Sequence, residues 1–397
     1  MNILLFDHPS SKKGLLPLTY LRPVAEIRVG IIKITEKWKT RFPADYSFLT
    51  ESYLSKKFPP HFERLNYYVH GGVSPDDAFI AAVKSLSENQ SIEKDGMLLA
   101  FCSSAKFTTP EELLEASQSG NKLTWENKVA IFNKNWEIFK KNRAELDKDY
   151  QLITKGRKSE PITDPHTIVY NPENIFVEEG ASIKAAILNA EYGSIYIGKN
   201  AEIHEGALVR GALGLCENSH INMGAKIRGD NTFGPFSKVG GEVANSVIFG
   251  YSNKSHDGYL GNSVIAEWCN FGADSNTSNL KNNYSNVKNW DYSVDSFVDT
   301  GLQFCGLMMG DHTKSGINTM FNTGTVVGVG AILYGAGFLK NFIPSFGWGG
   351  EGKVATFRLP KMYELASRVL ARRGLELTEE DKSILAHVYE ITEKYRS

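Results

Sequence analysis

The 397-residue chain has few cysteines, no long apolar run and almost no net charge. Its four cysteines, Cys102, Cys216, Cys269 and Cys305, lie far apart without a CxxC pair, which argues against a disulfide framework and a cysteine zinc site. A formal net charge of -1 gives no reason to expect nucleic acid or an anionic membrane as a partner. The apolar part of the N-terminus is too short for a signal peptide, so we expect a cytoplasmic protein.

One period dominates the middle of the sequence. Every sixth residue is apolar for eight steps: Ile197, Ile203, Val209, Leu215, Ile221, Ile227, Phe233 and Val239. An α-helix repeats at 3.6 and a strand at 2, so neither explains a period of six. Short strands that turn triangular corners do explain it. We therefore predict a left-handed parallel β-helix of hexapeptide repeats over residues 166–353. By fold-level analogy, this architecture favours an acyltransferase that works between the subunits of a homotrimer.

The flanking regions have different patterns. Residues 1–165 alternate short apolar runs, such as Ile3–Phe6 and Met97–Phe101, with a helical apolar stripe at 75–86, which predicts an α/β domain. The polar, proline-containing segment Gly156–His166 fits a linker. Residues 354–397 return to a helical pattern, and we expect them to form a cap over the open end of the β-helix.

The most informative segment interrupts the period of six. Between residues 253 and 284, His256 is followed by Tyr259, by Leu260-Gly261, by Asn270-Phe271-Gly272-Ala273 and then by Asn279. These residues and their spacing resemble the acetyltransferase core of the GlmU-like bifunctional enzymes, in a divergent branch. The resemblance implies acetyl-CoA-dependent N-acetylation of a hexosamine-1-phosphate, with glucosamine-1-phosphate expected, coupled to formation of a nucleotide sugar in UDP-N-acetylglucosamine biosynthesis.

Acetyl transfer to an amine needs a base, and an imidazole suits that role near neutral pH. We assign His256 as the general base and, from the resemblance, Glu242 as the residue that orients it. Tyr259 and Asn270 are expected to bind the sugar. The cations expected at the sugar phosphate are Arg228, Lys238 and Lys254.

The coenzyme requires oxyanion donors and a groove. A glycine turn lets the backbone approach a thioester closely, so the N–H groups of Gly272 and Ala273 are candidates for the oxyanion. Asn279, Thr323 and Gly324 are expected to line the pantetheine arm of acetyl-CoA.

The N-terminal domain carries a second resemblance. The run from Gly14 to Pro23, which contains Pro-Leu-Thr, and the later Arg28-Val-Gly resemble the start of sugar-phosphate nucleotidyltransferases. This implies a nucleoside triphosphate (UTP or dTTP) and Mg²⁺, with Arg22 and Arg28 as substrate ligands. The glycine-rich phosphate loop is replaced by DHPSSKK, and the candidate metal ligands Asp7, Asp76 and Asp95 form no recognisable pair.

Two other functions are compatible with a β-helix. A γ-carbonic-anhydrase-like enzyme needs three histidines around one metal, and His256 has no histidine nearby. His204 and His220 flank core positions and are expected to be ordinary surface residues. A non-catalytic solenoid scaffold that binds sugar nucleotides is the non-enzymatic alternative.

Overall fold

A computed structural model describes residues 1–350 and 354–396. The chain forms two compact units. The first contains Met1–Ile27, Ile32–Lys134 and Thr378–His387, and the second contains Arg28–Ile31, Asn135–Leu377 and the residues from Val388 onward.

The first unit is built on a six-stranded mixed sheet. Its strands are β1 (Asn2–Phe6), β2 (Asp45–Leu49), β3 (Asn66–His70), β5 (Gln90–Lys94), β6 (Met97–Ser103) and β7 (Asn121–Thr124), in the spatial order β2-β1-β3-β6-β5-β7, while β4 (Val73–Ser74) pairs with β8 (Ala130–Ile131). The helices are α1 (Pro9–Gly14), α2 (Ile34–Arg41), α3 (Asp77–Ser85) and α4 (Pro110–Ser117). The α/β prediction is confirmed, and β1 pairs in parallel with both β2 and β3.

The second unit is a three-sided solenoid of short parallel strands. The first face has Ile175–Val177, Ile195–Ile197, Leu213–Leu215, Asn231–Phe233, Val247–Ile248, Val264–Ile265, Met308–Met309, Val326–Val327 and Phe342–Ile343. The second face has Ser182–Ile183, Glu202–Ile203, His220–Ile221, Lys238–Val239, Asn253–Lys254, Lys314–Ser315, Ile332–Leu333 and Gly347–Trp348, and Ala355–Thr356 pairs antiparallel with the last of these. The third face has Ile168–Tyr170, Ile187–Asn189, Leu208–Arg210, Lys226–Arg228, Glu242–Ala244, Tyr259–Gly261, Asn276–Thr277 and Met320–Phe321.

The period of six sets the solenoid core. All eight residues of the series point inward and are at most 2% exposed. They stack in register because successive coils pair in parallel, for example Ile203 with Ile221 and Ile221 with Val239. Burying these columns is the main favourable contribution to the fold. The predicted parallel solenoid is confirmed.

Well after the series ends at Val239, a segment leaves the third face. After Thr277 the chain forms the antiparallel hairpin Lys288–Asp291 and Ser296–Asp299, and it rejoins the first face at Met308. Trp290 of the hairpin stacks on Phe342 at 4.1 Å between ring centroids and meets Tyr395 edge to face. The inserted segment is therefore anchored on both sides by aromatic contacts.

A column of aromatic side chains follows one corner of the solenoid. Phe236, Tyr251, Trp268 and His312 all have positive φ and stack with centroid distances of 5.1, 4.3 and 6.3 Å. Helix α6 (Leu359–Ala371) runs along this corner: Met362 lies against Gly330, and Arg373 just after the helix donates to the Phe236 carbonyl at 3.2 Å.

The predicted C-terminal helices are confirmed as α6 and α7 (Glu379–Ile391). Helix α6 lies along the aromatic corner, and the expectation that residues 354–397 cap the open end of the β-helix stays a prediction. The domain boundary at residue 165 stays a prediction. Helix α5 (Glu137–Thr154) belongs to the solenoid unit, where Asn142 donates to the Asp230 carbonyl at 3.0 Å and to Thr232 at 3.1 Å.

The length and hydropathy of the helices show whether any of them could cross a membrane. Within residues 1–350 and 354–396, no helix combines the length and the apolar character that a bilayer crossing requires.

Candidate functional site

His256 lies at the corner between the second and third faces of the solenoid. It sits in the short loop that joins Asn253–Lys254 to Tyr259–Gly261, and its side chain is exposed. Within the described parts of the chain, no group hydrogen-bonds the imidazole. A base that must approach a substrate amine needs such an open position.

Lys254 stabilises the backbone of this corner through hydrogen bonds from its buried ammonium. Its side chain is 2% exposed, and the ammonium donates to the carbonyl oxygens of His256 at 2.6 Å and Gly240 at 3.0 Å. Loss of water around the ammonium lowers the pKa of Lys254 to about 8. The buried ammonium therefore supports the His256 loop and does not face a sugar phosphate, which corrects its predicted role as a direct ligand.

On the third face, four of the predicted residues come together. Strand register places Glu242 beside Tyr259, and Arg228 reaches Glu242 with nitrogen–oxygen distances of 3.0 and 2.9 Å. The amide of Asn279 donates to the Tyr259 hydroxyl at 2.9 Å. Burial is the main reason that the pKa of Tyr259 is raised, so the phenol stays protonated and can donate. Glu242 pairs with Arg228 and does not contact the imidazole of His256.

On the second face, Lys238 and Asn270 line an open cavity of about 520 Å³, named here the basic pocket. The floor of the basic pocket is formed by residues that pair in parallel from one coil to the next, in the order Lys238, Asn253, Asn270 and Lys314. Ser255, next to His256, is on its rim. The complete lining is Lys238, Tyr251, Asn253, Ser255, Trp268, Cys269, Asn270, Lys314, Val369, Arg372 and Arg373. The predicted sugar ligands are thus divided between the two faces that meet at His256.

The two predicted oxyanion donors, Gly272 and Ala273, differ in whether their backbone N–H groups are already hydrogen-bonded. The N–H of Gly272 donates to the Ser315 carbonyl at 2.9 Å, since this residue continues the ladder between coils. It has no free N–H for a thioester oxygen, which corrects that part of the prediction. The N–H of Ala273 has no protein acceptor within the described residues.

The predicted coenzyme residues lie along the corner where the third face ends. Asn279 contacts Tyr259 and Asn262, whereas Thr323 forms a hydroxyl contact with Ser278 at 2.9 Å. Gly324 has φ +68°, and a Cβ there would lie 2.3 Å from the Lys288 carbonyl, so only glycine fits. Thr323 also lines a cavity of about 480 Å³, named here the lysine pocket, formed by Lys281, Lys288, Phe297, Thr323, Lys340, Asn341 and Phe342.

In the first unit, polar residues gather where β1 ends. Asp7 follows β1 directly, and its carboxylate lies 3.2 Å from the ammonium of Lys12. Arg22 is 6% exposed, and its guanidinium donates to the Leu18 carbonyl at 3.1 Å. The carboxyl edge of a parallel sheet is where ligands bind in open α/β folds. Arg22 is nevertheless buried, and one of its guanidinium N–H groups is bonded to the Leu18 carbonyl, so its role as a substrate ligand stays a prediction.

Arg28 is also buried, at 5% exposure, in the solenoid unit. It donates to the Phe249 carbonyl at 2.9 Å and to the Ile31 carbonyl. It also contacts the Cys216 sulfur at 3.7 Å, so these bonds hold the 28–31 segment in place, and its predicted contact with a substrate stays a prediction.

A magnesium ion does not fit the residues present at Asp7. One carboxylate oxygen accepts from the Val24 N–H at 2.7 Å, and the other accepts from the Thr50 hydroxyl and pairs with Lys12. Asp76 caps α3 by accepting from the Phe79 N–H at 2.8 Å, and Asp95 lies in the turn between β5 and β6. These carboxylates form no shared site, so no step is assigned to Mg²⁺ here.

A metal-capable cluster occurs elsewhere. Glu202, His204 and His220 on the second face place one ligand atom each within 4.8 Å of one another, as the single such group within residues 1–350 and 354–396. The expectation that the two histidines are ordinary surface residues missed this convergence, which follows from the parallel register of Glu202 with His220. The cluster does not include His256.

Sequence reasoning missed the cations that complete the basic pocket. Arg372 and Arg373 follow α6, and the partly buried Lys314 donates to the carbonyls of Trp268 and His312. No sequence signal links residues so far apart. The column of aromatic residues with positive φ is the pattern that indicates where α6 packs.

Comparisons with known proteins find similarity to sugar nucleotidyl transferases and to bifunctional enzymes. Residues 3–158 match the family model described as sugar nucleotidyl transferase. A bifunctional sugar-1-phosphate nucleotidylyltransferase/acetyltransferase from Sulfurisphaera tokodaii is 29% identical over 161 residues, which is 40% of this chain and 37% of that protein. The bifunctional protein GlmU from Methanocaldococcus jannaschii is 36% identical over 87 residues, which is 22% of this chain and 21% of that protein.

Among solved structures, UDP-N-acetylglucosamine acyltransferase from Campylobacter jejuni is similar with a TM-score of 0.23 and 16% identity, covering 57% of this chain and 95% of that one. The matches to the curated relatives span less than two thirds of the relatives' own lengths. The resemblance predicted from the sequence is confirmed: residues 3–158 match the sugar nucleotidyl transferase family, and parts of the chain are similar to bifunctional nucleotidylyltransferase/acetyltransferases.

Proposed function

We propose that this protein is a bifunctional transferase. Its solenoid transfers an acetyl group from acetyl-CoA to the amine of a hexosamine-1-phosphate, with glucosamine-1-phosphate as the first candidate. Its N-terminal unit joins a sugar-1-phosphate to a nucleoside triphosphate and releases pyrophosphate. The observation that carries the first activity is an exposed imidazole, His256, held at a corner whose two adjoining faces present cationic and amide side chains.

In the acetyl transfer, His256 takes a proton from the amine as its nitrogen attacks the thioester carbonyl. The carbon–nitrogen bond forms, the carbon–sulfur bond breaks, and the thiolate leaves as free CoA after gaining a proton. General-base assistance of this kind contributes about 10²- to 10⁴-fold to the rate. The N–H of Ala273, which has no acceptor among the described residues, is the donor proposed for the developing oxyanion.

The third face supplies the sugar contacts in this proposal. The exposed guanidinium of Arg228 grips the phosphate, and Glu242 holds that guanidinium in position through the ion pair at 2.9 Å. The side chains of Tyr259 and Asn279 are hydrogen-bonded to each other at 2.9 Å, and in this proposal they bind the sugar hydroxyls. Glu242 is therefore a positioning residue for Arg228, in place of the expected role toward His256.

The lysine pocket is proposed as the site for the phosphates of acetyl-CoA. It joins three lysines to the aromatic rings of Phe297 and Phe342, and Thr323 connects it to the corner that carries Asn279. Pantetheine laid along that corner points its thioester toward Tyr259 and the neighbouring His256. A homotrimer is part of the proposal, because the open side of His256 is available to a neighbouring copy. We also keep the expectation of a cytoplasmic location.

Nucleotidyl transfer is the second proposed activity, and the family match over residues 3–158 favours it. Lys13 is exposed beside the buried Lys12 at the carboxyl edge of β1, where a triphosphate would approach. The loop that follows β1 lacks the glycines of the resembled family, so fewer backbone N–H groups can bind phosphate. In this proposal, positively charged side chains take their place as phosphate ligands.

One assay tests both activities separately. We incubate the full chain with glucosamine-1-phosphate, acetyl-CoA, UTP and Mg²⁺, and we measure free thiol and pyrophosphate independently. We expect both products. Absence of thiol release overturns the acetyltransferase and leaves the sugar-nucleotide-binding scaffold, whereas absence of pyrophosphate removes only the N-terminal activity.

Replacing a lysine of the lysine pocket is predicted to affect one substrate only. Lys340→Gln removes an exposed cation from the rim, so we expect the KM for acetyl-CoA to rise several-fold, about the 1 kcal/mol range of a partly exposed charge contact, with the KM for the sugar phosphate unchanged. Steady-state thiol release measures both constants. Lys226→Gln, an exposed lysine on the third face, is the matched control. Equal KM values for acetyl-CoA in the two variants contradict this placement.

A further inference from the structure

Two histidines and a glutamate converge on the outer surface of the second face. Glu202 and His204 flank the buried Ile203 on one coil, and His220 precedes the buried Ile221 on the next. Residues i and i+2 of a strand point to the same side, so Glu202 and His204 both point away from the core. The parallel register then places His220 beside Glu202. The three polar side chains therefore occupy one patch of the outer surface.

The ladder between coils holds the backbone beneath this patch. The backbone N–H groups of Glu202, His204 and His220 each donate to a carbonyl of the following coil, at 2.9, 2.9 and 2.8 Å. The inward neighbours Ile203 and Ile221 are packed in the solenoid core. The scaffold thus brings the three side chains together before any ligand binds, and this preorganisation lowers the entropy cost of binding.

The donor atoms are spaced as ligands of one metal ion. A carboxylate oxygen of Glu202 lies 2.8 Å from Nε2 of His204 and 3.6 Å from Nδ1 of His220. One atom from each of the three side chains lies within 4.8 Å of the other two. Ligands about 2.0 to 2.1 Å from a tetrahedral Zn²⁺ are about 3.3 Å from each other, which falls between the two measured separations. Small side-chain rotations therefore suffice to bring all three atoms onto one ion.

A hydrogen bond between Glu202 and His204 explains only part of this arrangement. It accounts for the separation of 2.8 Å, whereas 3.6 Å from the same oxygen to Nδ1 of His220 is too long for a hydrogen bond. Within the described residues, the ring of His220 forms no hydrogen bond. A shared ion gives both imidazoles and the carboxylate a common partner.

The composition of the cluster selects the class of metal. Imidazole nitrogens suit zinc, copper and nickel, whereas Mg²⁺ and Ca²⁺ prefer several oxygen ligands. The cluster contributes one carboxylate, and the following coil places Lys238 beside His220, so charge attraction alone does not hold a hard cation here. The side chains of Glu202, His204 and His220 are 43%, 32% and 25% exposed, which leaves room for water to complete the coordination.

We propose that Glu202, His204 and His220 bind a divalent transition-metal ion of the Zn²⁺ type, with water as the remaining ligand. The ion joins two consecutive coils and acts as a cross-link of the solenoid. Because it binds the folded chain, it raises the stability of the fold. The site is independent of the proposed transferase activities, since it contains none of the residues assigned to them.

Calorimetric titration of the untagged, metal-free full chain with ZnCl₂ tests the site. We expect one equivalent of Zn²⁺ to bind and MgCl₂ to give no binding. Loss of a residue that merely supports a metal ligand weakens affinity about 10- to 100-fold, so removal of a ligand in His220→Ala or Glu202→Gln should weaken Zn²⁺ binding at least that much. His166→Ala removes an exposed imidazole outside the cluster and is the matched control, with wild-type affinity expected.

Urea unfolding with and without ZnCl₂ is the second measurement. Zn²⁺ should raise the unfolding midpoint of the wild type and of His166→Ala, and it should leave that of His220→Ala unchanged. Failure of Zn²⁺ to bind, equal affinity in the wild type and His220→Ala, or equal affinity for Mg²⁺ overturns the proposal. Binding that does not shift the wild-type midpoint overturns the cross-link. Neither measurement uses a substrate, so both outcomes are separate from the thiol and pyrophosphate assays.

Discussion

His256→Ala is expected to reduce the kcat of acetyl transfer by about 10²- to 10⁴-fold, the contribution of a positioned general base. The imidazole is exposed and makes no side-chain bond within the described residues, so its removal disturbs no packing. The Lys254 bonds that hold this loop go to backbone carbonyls and survive the substitution. Thiol release under saturating substrates measures the effect.

The control is His166→Ala, which removes another exposed imidazole from the segment before the solenoid. It should retain the wild-type kcat, and both variants should bind acetyl-CoA with unchanged affinity. Free imidazole added to His256→Ala should restore part of the rate, since a base lost from an open corner can be replaced from solution. A wild-type kcat in His256→Ala rejects the assignment, and weakened coenzyme binding shows that the residue binds substrate and does not act as a base.

Phe233→Ala should cost about 3 to 5 kcal/mol of solenoid stability, the range for deleting a buried phenyl ring. Phe233 is fully buried in the apolar column, and its coil pairs with the coils on both sides, so the cavity has few ways to collapse. Urea unfolding followed by far-ultraviolet circular dichroism measures the change.

Leu208→Ala is the matched control, because Leu208 is 45% exposed on the third face of the same solenoid. An exposed substitution of this kind changes stability by less than about 0.5 kcal/mol. Similar losses in the two variants contradict the inward and outward assignment that the period of six predicts.

The regular coils could be predicted from the sequence because their physics is local. Each inward position from Ile197 to Val239 needs an apolar side chain, because the three faces of short strands enclose the core there. The motif around His256 is also local, since it lies within one corner and the following coil, and the catalytic role of His256 stays a prediction. In the N-terminal domain, Ile3–Phe6 and Met97–Phe101 were identified as strands because buried strands are continuously apolar.

The failures have a common cause in longer-range contacts. After Val239 the coils change length, so counting by six no longer shows that Glu242 faces Tyr259 and pairs with Arg228. Arg22 and Arg28 carry a charge that suits phosphate binding, and both are buried and donate to backbone carbonyls. No pattern in the sequence distinguishes a buried structural arginine from a ligand.

The path of α6 along the aromatic corner changes how this solenoid can come apart. In a plain repeat protein each coil touches only its neighbours, and the stack can unravel from an end one rung at a time. Here α6 contacts Gly330 through Met362, and Arg373 just after the helix contacts Phe236, so we expect the coils between these contacts to open and close together. Those coils include His256 and Asn270, and we therefore expect local unfolding at the ends of the solenoid to leave the His256 corner intact for as long as α6 stays docked.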